Sequence, residues 1–241
     1  MIYFCQDVSL LKNVTFLTYI LNIETATKNC SVSVAENGNC IAIKELNNGH
    51  YSHAEVLHPF INEVLELANI SMNDIHAVAV SKGPGSYTGL RIGVSAAKGL
   101  CFSKDIPLIS INTLTSLAAA CIKNEGIIIP MLDARRMEVY SAIFNHDFDE
   151  IRTIEAEIID ENSFSEYLSR EKVYFLGDAV EKCKEILQHE NAIFIEKTFP
   201  SAKEMCQLSF EKYKKNDIED VAYFEPFYLK DFKAVPEKKK F

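Results

Sequence analysis

Two stretches of this chain begin in the same way, about 109 residues apart. Residues 19–24, Tyr-Ile-Leu-Asn-Ile-Glu, read as a strand that ends in an acid and runs into Thr25-Ala26-Thr27. Residues 127–132 read as a second such strand, ending at Asp133-Ala134. Antiparallel strands follow each, and then helices alternating with strands. That spacing is domain-sized and too long for a solenoid repeat, so the pattern predicts a duplicated α/β fold of two lobes, each a mixed sheet flanked by helices. The expected divisions are an extension over 1–17 ahead of the fold, a first lobe over 18–112, a second over 113–235 and a basic tail over 236–241.

Within the first lobe, residues 30–36 and 39–44 alternate apolar and polar around Asn37-Gly38, the preferred two-residue hairpin pair. That turn predicts Val34 opposite Ile41 and Val32 opposite Ile43. Ser52 and Glu55 have the spacing of a capping box ahead of a helix over 52–69. A strand over 75–80, a Gly83-Pro84-Gly85 loop, a helix from Ser86 to about 103, a strand over 107–111 and an Ala-rich helix from Thr113 follow. The second lobe adds strands near 137–144, 151–159, 173–176 and 192–195. Its helices are expected to be capped by Asn162 or Ser163, by Asp178 with Glu181, and by Ser201 with Glu204.

A chain of 241 residues, 48% hydrophobic and 24% charged, can bury a large core, which excludes a disordered chain. Its seven cysteines are scattered and never spaced C-x-x-C, which argues against a disulfide framework or a zinc knuckle and fits free thiols in the cytoplasm. No apolar run approaches the roughly 18 residues of a membrane span. Asp7, Lys12 and Asn13 break up the first 17 residues, which make a poor signal peptide. A net charge of −9 is the wrong sign for gripping nucleic acid over a broad face, so a partner would carry most of any RNA binding.

The run from Gly83 to Gly93 admits two readings. Gly83, Gly85 and Ser86, at a helix N-terminus, could meet an anion, with Arg135 and Arg136 reaching it by side chain. The run lacks G-x-x-x-x-G-K-[ST] and misses G-x-G-x-x-G by one residue. Alternatively, Gly89, Gly93 and Ala97 form a small-residue face for close packing, flanked by Ile92, Ala96 and Leu100. On the preceding helix Val56, Phe60 and Leu67 lie off the main apolar line through 57, 61, 64 and 68, so that helix has either a second surface to cover or a neighbour on both sides. His53 reads as a surface or interface residue. It stands about 140° round the helix from His58, a poor geometry for joint metal ligation. Glu24 and Asp133 could hold Mg²⁺ between lobes or cap turns, and no triad surrounds Ser86.

The segments "YILNIETATKNCSVSVAENG", "SKGPGSYTGLRIGVSAAKGL", "LDARRMEVYSAIF" and "EPFYLKDF" closely resemble the bacterial TsaB family, over about 18–235. The resemblance implies the actin/sugar-kinase/Hsp70-like duplicated fold. It also implies the dimerisation subunit of the machinery that makes threonylcarbamoyladenosine beside the anticodon of tRNAs reading codons that begin with A. The implied partners are a TsaD-like paralogue or a second copy, a TsaE-like ATPase in a larger complex, and tRNA indirectly, with no membrane. The TsaD family carries an H-x-x-x-H metal pair where this chain reads Asn112-Thr113-Leu114-Thr115-Ser116-Leu117-Ala118-Ala119-Ala120, so no catalytic residue, metal or cofactor is expected. The expected partner interface is His53, Val56, Phe60, Leu67, Gly89, Gly93 and Ala97. The alternative is an ATP-hydrolysing or kinase-like enzyme of the same fold, and a third reading is direct tRNA contact through Lys233, Lys238, Lys239 and Lys240.

Overall fold

The computed structural model describes residues 17–49, 52–121 and 125–230. The extension ahead of Leu17 and the lysine tail lie outside the described residues.

The first half runs β1 (Tyr19–Glu24), β2 (Cys30–Glu36), β3 (Asn39–Leu46), α1 (His53–Leu67), β4 (Ile75–Gly83), α2 (Tyr87–Lys104), β5 (Leu108–Asn112) and α3 (Thr113–Ala118). The second runs β6 (Ile127–Asp133), β7 (Glu138–Phe144), β8 (Glu150–Ile158), α4 (Ser165–Leu168), β9 (Val173–Leu176), α5 (Val180–Cys183), β10 (Ala192–Ile195) and α6 (Ala202–Lys214). The sheets have orders β3-β2-β1-β4-β5 and β8-β7-β6-β9-β10, which are the same order element for element. In each, the first three strands are an antiparallel meander and the last two run parallel to the first. This is the duplication that the repeated strand, acid and turn predict.

Both faces of β1 are covered, which is why its sequence is apolar without strict alternation. Leu21 and Ile23 pack with Val32, Val78 and the α1 and α2 residues Leu57, Val64 and Val94. Ile20, on the other face, packs with Ala77, Ile109 and the α6 residues Ala202, Met205 and Cys206. The last helix of the described residues, α6, therefore covers the first sheet. Reciprocally, Leu114 and Leu117 of α3 pack on Ile128, Leu132, Phe144 and Leu176 of the second sheet.

This exchange revises the expected boundary, because residues 113–235 are not one unit. The third helix of each half crosses to the other half. After α6 the chain also stays with the first lobe: Glu219 N donates to Leu108 O (2.8 Å), and Phe227 N donates to Lys82 O (2.7 Å).

Three local expectations are corrected. Asn37 and Gly38 do form a tight turn with positive φ (49° and 85°), and Ala35 pairs with Cys40. The ladder then slips, so that Val34 pairs with Ala42, Ser33 with Ile43 and Val32 with Lys44. Ile41 becomes the extra residue of a bulge and is 42% exposed, while Ala42 takes the inward position. β3 is an edge strand, where such a bulge interrupts the least pairing. Secondly, Ser52 makes no side-chain cap bond, because its backbone (φ −112°, ψ 13°) is not extended as an N-cap requires. Thirdly, α4 and α5 lack side-chain caps: Asp178 accepts instead from the Asp133 N–H (2.8 Å), and Ser163 Oγ from the Asp160 N–H (2.9 Å). Ser201 caps α6 as expected, accepting from Lys203 N (3.1 Å).

The exchange predicts the effect of thinning α6. Met205→Ala should lower unfolding free energy by about 2–5 kcal/mol in urea titrations followed by circular dichroism, since it opens a cavity against Ala77 and Ile109. A loss below about 0.5 kcal/mol would mean that α6 does not carry the second face of the first sheet.

Candidate functional site

The turn between β1 and β2 is the point on which the glycine-rich run closes. Glu24 Oε1 accepts from Ala26 N (2.6 Å) and from Ser81 Oγ (2.8 Å) at the end of β4. Thr25 Oγ1 donates to Gly89 O (2.8 Å) in the first turn of α2, and Ser86 N donates to Ala26 O (2.6 Å). At the start of α1, His53 Nε2 donates to Thr27 O at 2.7 Å. The carbonyl can only accept, so the ring is held as its Nε2–H tautomer, and burial keeps its pKa below the ordinary histidine value.

Gly85, Gly89 and Gly93 serve this approach, and Gly83 a second one. A Cβ on Gly89 or Gly93 would overlap Thr25, and one on Gly85 would come within 2.5 Å of Ala26 O. Gly83 has φ +111° and lies against the Phe227 carbonyl, where a Cβ would come to 2.6 Å; it precedes a cis peptide to Pro84. The loop is thus filled by the chain's own backbone. Ser86 spends its N–H on Ala26, and its hydroxyl accepts from Gly89 N (3.3 Å). The phosphate-cradle reading of Gly83, Gly85 and Ser86 does not survive this packing. Arg135 and Arg136 sit exposed in the β6–β7 turn with positive φ (75° and 53°) and share no hydrogen bond or ion pair with the loop among the described residues.

The small-residue face is a real packing face, but its neighbour is Thr25 and not another molecule. His53 (1% exposed), Gly89, Gly93 and Ala97 are buried inside the first lobe, so their expected place on a partner-facing surface is corrected. The strand-end acids also part company. Asp133 is exposed and pairs with Lys182, whereas Glu24 is fully buried with Oε2 unpartnered. Burial lifts the Glu24 carboxyl from its ordinary 4.5 to about 7, against the opposing pull of the Ala26 and Ser81 hydrogen bonds. Among the described residues, no group of three or more His, Cys, Asp or Glu side chains is placed to hold a metal ion.

What the first lobe does present outward is the side of α1 and α2 away from Thr25. Val56, Phe60, Ile92, Ala96 and Leu100 lie over the core but are incompletely covered, with Leu67 (61% exposed) and Phe102 (86% exposed) beyond them. A groove of about 330 Å³ is lined by His58, Ile92, Ser95, Ala96, Gly99 and Leu100. Gly99 opens onto it, with no atom within 4 Å of where a Cβ would stand. Gly99 is missing from the sequence-level interface, although it follows from continuing the Ile92, Ala96 stripe by one turn.

The stretch from Phe224 to Tyr228, at the start of the late "EPFYLKDF" segment, also has a place. It runs along the other flank of α2, where Lys98 Nζ donates to Phe224 O (2.9 Å) and Arg91 Nε to Tyr228 Oη (3.3 Å). Arg91 also lies over the Tyr87 ring, 4.3 Å from its centroid.

Matched sheets, exchanged third helices and a turn-clamping glycine loop define a duplicated α/β protein of the actin/sugar-kinase/Hsp70 class. Residues 48–238 match the family described as TsaD: tRNA N6-adenosine threonylcarbamoyltransferase. The tRNA threonylcarbamoyladenosine biosynthesis protein TsaB of Escherichia coli is 29% identical over 233 residues, covering 91% of this chain and 99% of that protein. The TsaB protein of Buchnera aphidicola subsp. Schizaphis graminum is 30% identical over 209 residues, covering 83% of this chain and 96% of that protein. A solved Pseudomonas aeruginosa structure, described as an uncharacterized protein with similarity to peptidase YEAZ, shares the fold: its TM-score is 0.78 at 20% identity, covering 88% of this chain and 100% of that one. The chain belongs to this threonylcarbamoyltransferase family, in its TsaB branch, whose members take part in tRNA threonylcarbamoyladenosine biosynthesis.

Two glycines of one helix should respond oppositely to a methyl group. Gly93→Ala should destabilise by about 1–3 kcal/mol, because Thr25 must move, whereas Gly99→Ala should stabilise by about 0.5–1 kcal/mol through helix propensity alone. Chemical denaturation of both variants tests the inward and outward assignment of the two faces.

Glu24 makes a pH-dependent contribution. Its folded pKa lies above the unfolded value, so its share of stability is complete below about pH 4.5 and is lost as pH rises through about 7. Glu24→Gln should remove that loss, worth about 3 kcal/mol at most, and gain stability relative to the wild type at pH 8 but not at about pH 4. Thermal melts across that range give the answer, and an equal shift at every pH would refute the assignment.

Proposed function

We propose that the chain is a non-catalytic scaffold subunit of the cytoplasmic machinery that forms N6-threonylcarbamoyladenosine in tRNA, and that it docks through the outer faces of α1 and α2 onto a TsaD-like catalytic paralogue. The observation that carries this reading is the incompletely covered apolar surface of Val56, Phe60, Ile92, Ala96 and Leu100, with its groove at Gly99. Apolar residues that a lobe leaves half-covered along two adjacent helices gain most when a matching pair covers them. The family match supports a partner built on the same topology, whose own two helices would meet these in a near-symmetric pair. A second copy of this chain would use the same face in the partner's absence.

Two further observations agree with a scaffold. The glycine loop is occupied by Thr25, Ala26 and Phe227, which leaves a kinase-like use of it without a cradle. The net charge of −9 suits a subunit that serves a tRNA reaction through its partner, with a TsaE-like ATPase joining the larger assembly.

Gly99→Arg tests the proposal cleanly, because the side chain enters open groove and arginine is a better helix former than glycine. The variant should keep its circular dichroism and melting temperature yet no longer co-elute with the TsaD-family protein of the same cell in size-exclusion chromatography. Unchanged co-elution would overturn the docking face.

A further inference from the structure

Arg152 and Arg170 are paired with carboxylates of this chain, Glu157 and Glu166. Arg91 is held in another way, and among the described residues it has no carboxylate within ion-pair reach. Its guanidinium lies over the Tyr87 ring (4.3 Å) and donates from Nε to Tyr228 Oη (3.3 Å). The two tyrosine rings are themselves in contact, with centroids 4.8 Å apart and planes inclined at 36°. They fix the plane of the guanidinium and leave its two terminal amino groups unused. An exposed arginine ordinarily loses side-chain entropy when it is held in one geometry, whereas this one is held before any ligand arrives.

Arg91 also lines a cavity of about 410 Å³ between α2 and the stretch from Phe224 to Tyr228. Lys98 is a second cation in its lining, with its ammonium donating to Ala222 O (3.1 Å) and Phe224 O (2.9 Å). Glu225 lines the cavity too, but among the described residues it forms an ion pair with neither. A chain with a net charge of −9 thus keeps two cations at one cavity without a carboxylate bound to either. Ser95, which is exposed, lines both this cavity and the groove at Gly99, so the two adjoin along α2.

We infer, resting on the docking of α1 and α2 onto a partner, that Arg91 is the charged anchor of that interface and takes an Asp or Glu side chain of the partner beside Lys98. A partner seated on Ile92, Ala96 and Gly99 meets Ser95 and reaches the cavity, one helical turn from Arg91. It then takes a guanidinium out of water, and a buried charge left unpaired would oppose the docking. A carboxylate removes that penalty, because its two oxygens match the two free amino groups in a bidentate pair. Arginine and tyrosine in such a held arrangement are the residue types on which binding energy concentrates.

Calorimetric titration of the full chain with the TsaD-family protein of the same cell, at low and high salt, tests the anchor. Arg91→Gln should keep the circular dichroism of the wild type, weaken binding about tenfold or more at about 0.1 M salt, and flatten the fall of affinity with rising salt. In the Arg91→Lys variant, a carbodiimide that joins an amine directly to a carboxylate should link position 91 to an Asp or Glu of the partner, identified by mass spectrometry. Binding by Arg91→Gln within about twofold of the wild type, or a link from position 91 to Glu225 of this chain within the complex, would overturn the inference. Gly99→Arg separates the anchor from the docking face. If Gly99→Arg abolishes binding and Arg91→Gln does not weaken it, the anchor fails and the face stands, whereas if neither weakens binding, both fail. A change confined to self-association of the Arg91→Gln chain in sedimentation would give the carboxylate to a second copy and overturn the inference as well.

Discussion

Thr25 is the residue around which the first lobe is arranged. Its hydroxyl donates to the Gly89 carbonyl, and its side chain occupies the space that a methyl on Gly93 would need. Helix α2 can therefore lie against the β1–β2 turn with no side chain of its own between them. Two residues on, the Thr27 carbonyl takes the His53 N–H and pins the first residue of α1 to the same turn. One short turn thus fixes the starts of both helices and sets them side by side. Their relative placement decides which residues remain uncovered on the outer side. The proposed docking surface is in this sense a consequence of how tightly the inner side is closed.

The same closure explains why a loop with the look of a phosphate cradle has no room for one. Glycine lets another backbone approach, and here the approaching backbone belongs to Ala26 and Phe227. The donors that a ligand would need are already committed, Ser86 N to Ala26 and Gly89 N to Ser86. Behind the turn, the Glu24 carboxylate is fully buried with one oxygen unpartnered, which makes it an acid held for structure at a cost that grows with pH.

Exchange of the third helices joins the lobes by a different principle. α6 seals the first sheet and α3 the second, so each half of the chain completes the core of the other. Neither lobe has a complete core from its own half of the sequence. The buried sulfur and hydroxyl groups under α6, Cys206 against Ser33 and Ser31 against the Ala202 N–H, lie at that junction, where the chain returns on itself.

Local pattern carries far along this chain. The strand, acid and turn at Glu24 and again at Asp133, the alternation around Asn37-Gly38 and the stripes of α1 and α2 determine the element order and the duplication, because they report periodicity and turn chemistry that depend on neighbours in sequence. The spacing of Gly89, Gly93 and Ala97 likewise determines a close-packing face. Its occupant was beyond sequence reasoning, since Thr25 lies more than sixty residues away and nothing local tells a face that meets Thr25 from one that meets another molecule. The slip that turns Ile41 outward, the crossing of α3 and α6 and the burial of His53 belong to the same group. Each is decided by which distant surface reaches the residue first. By itself, then, the sequence determined the elements, their repeat and the family, while the tertiary structure alone decided which faces are consumed in folding and which are left uncovered, because burial is a property of the whole packed chain.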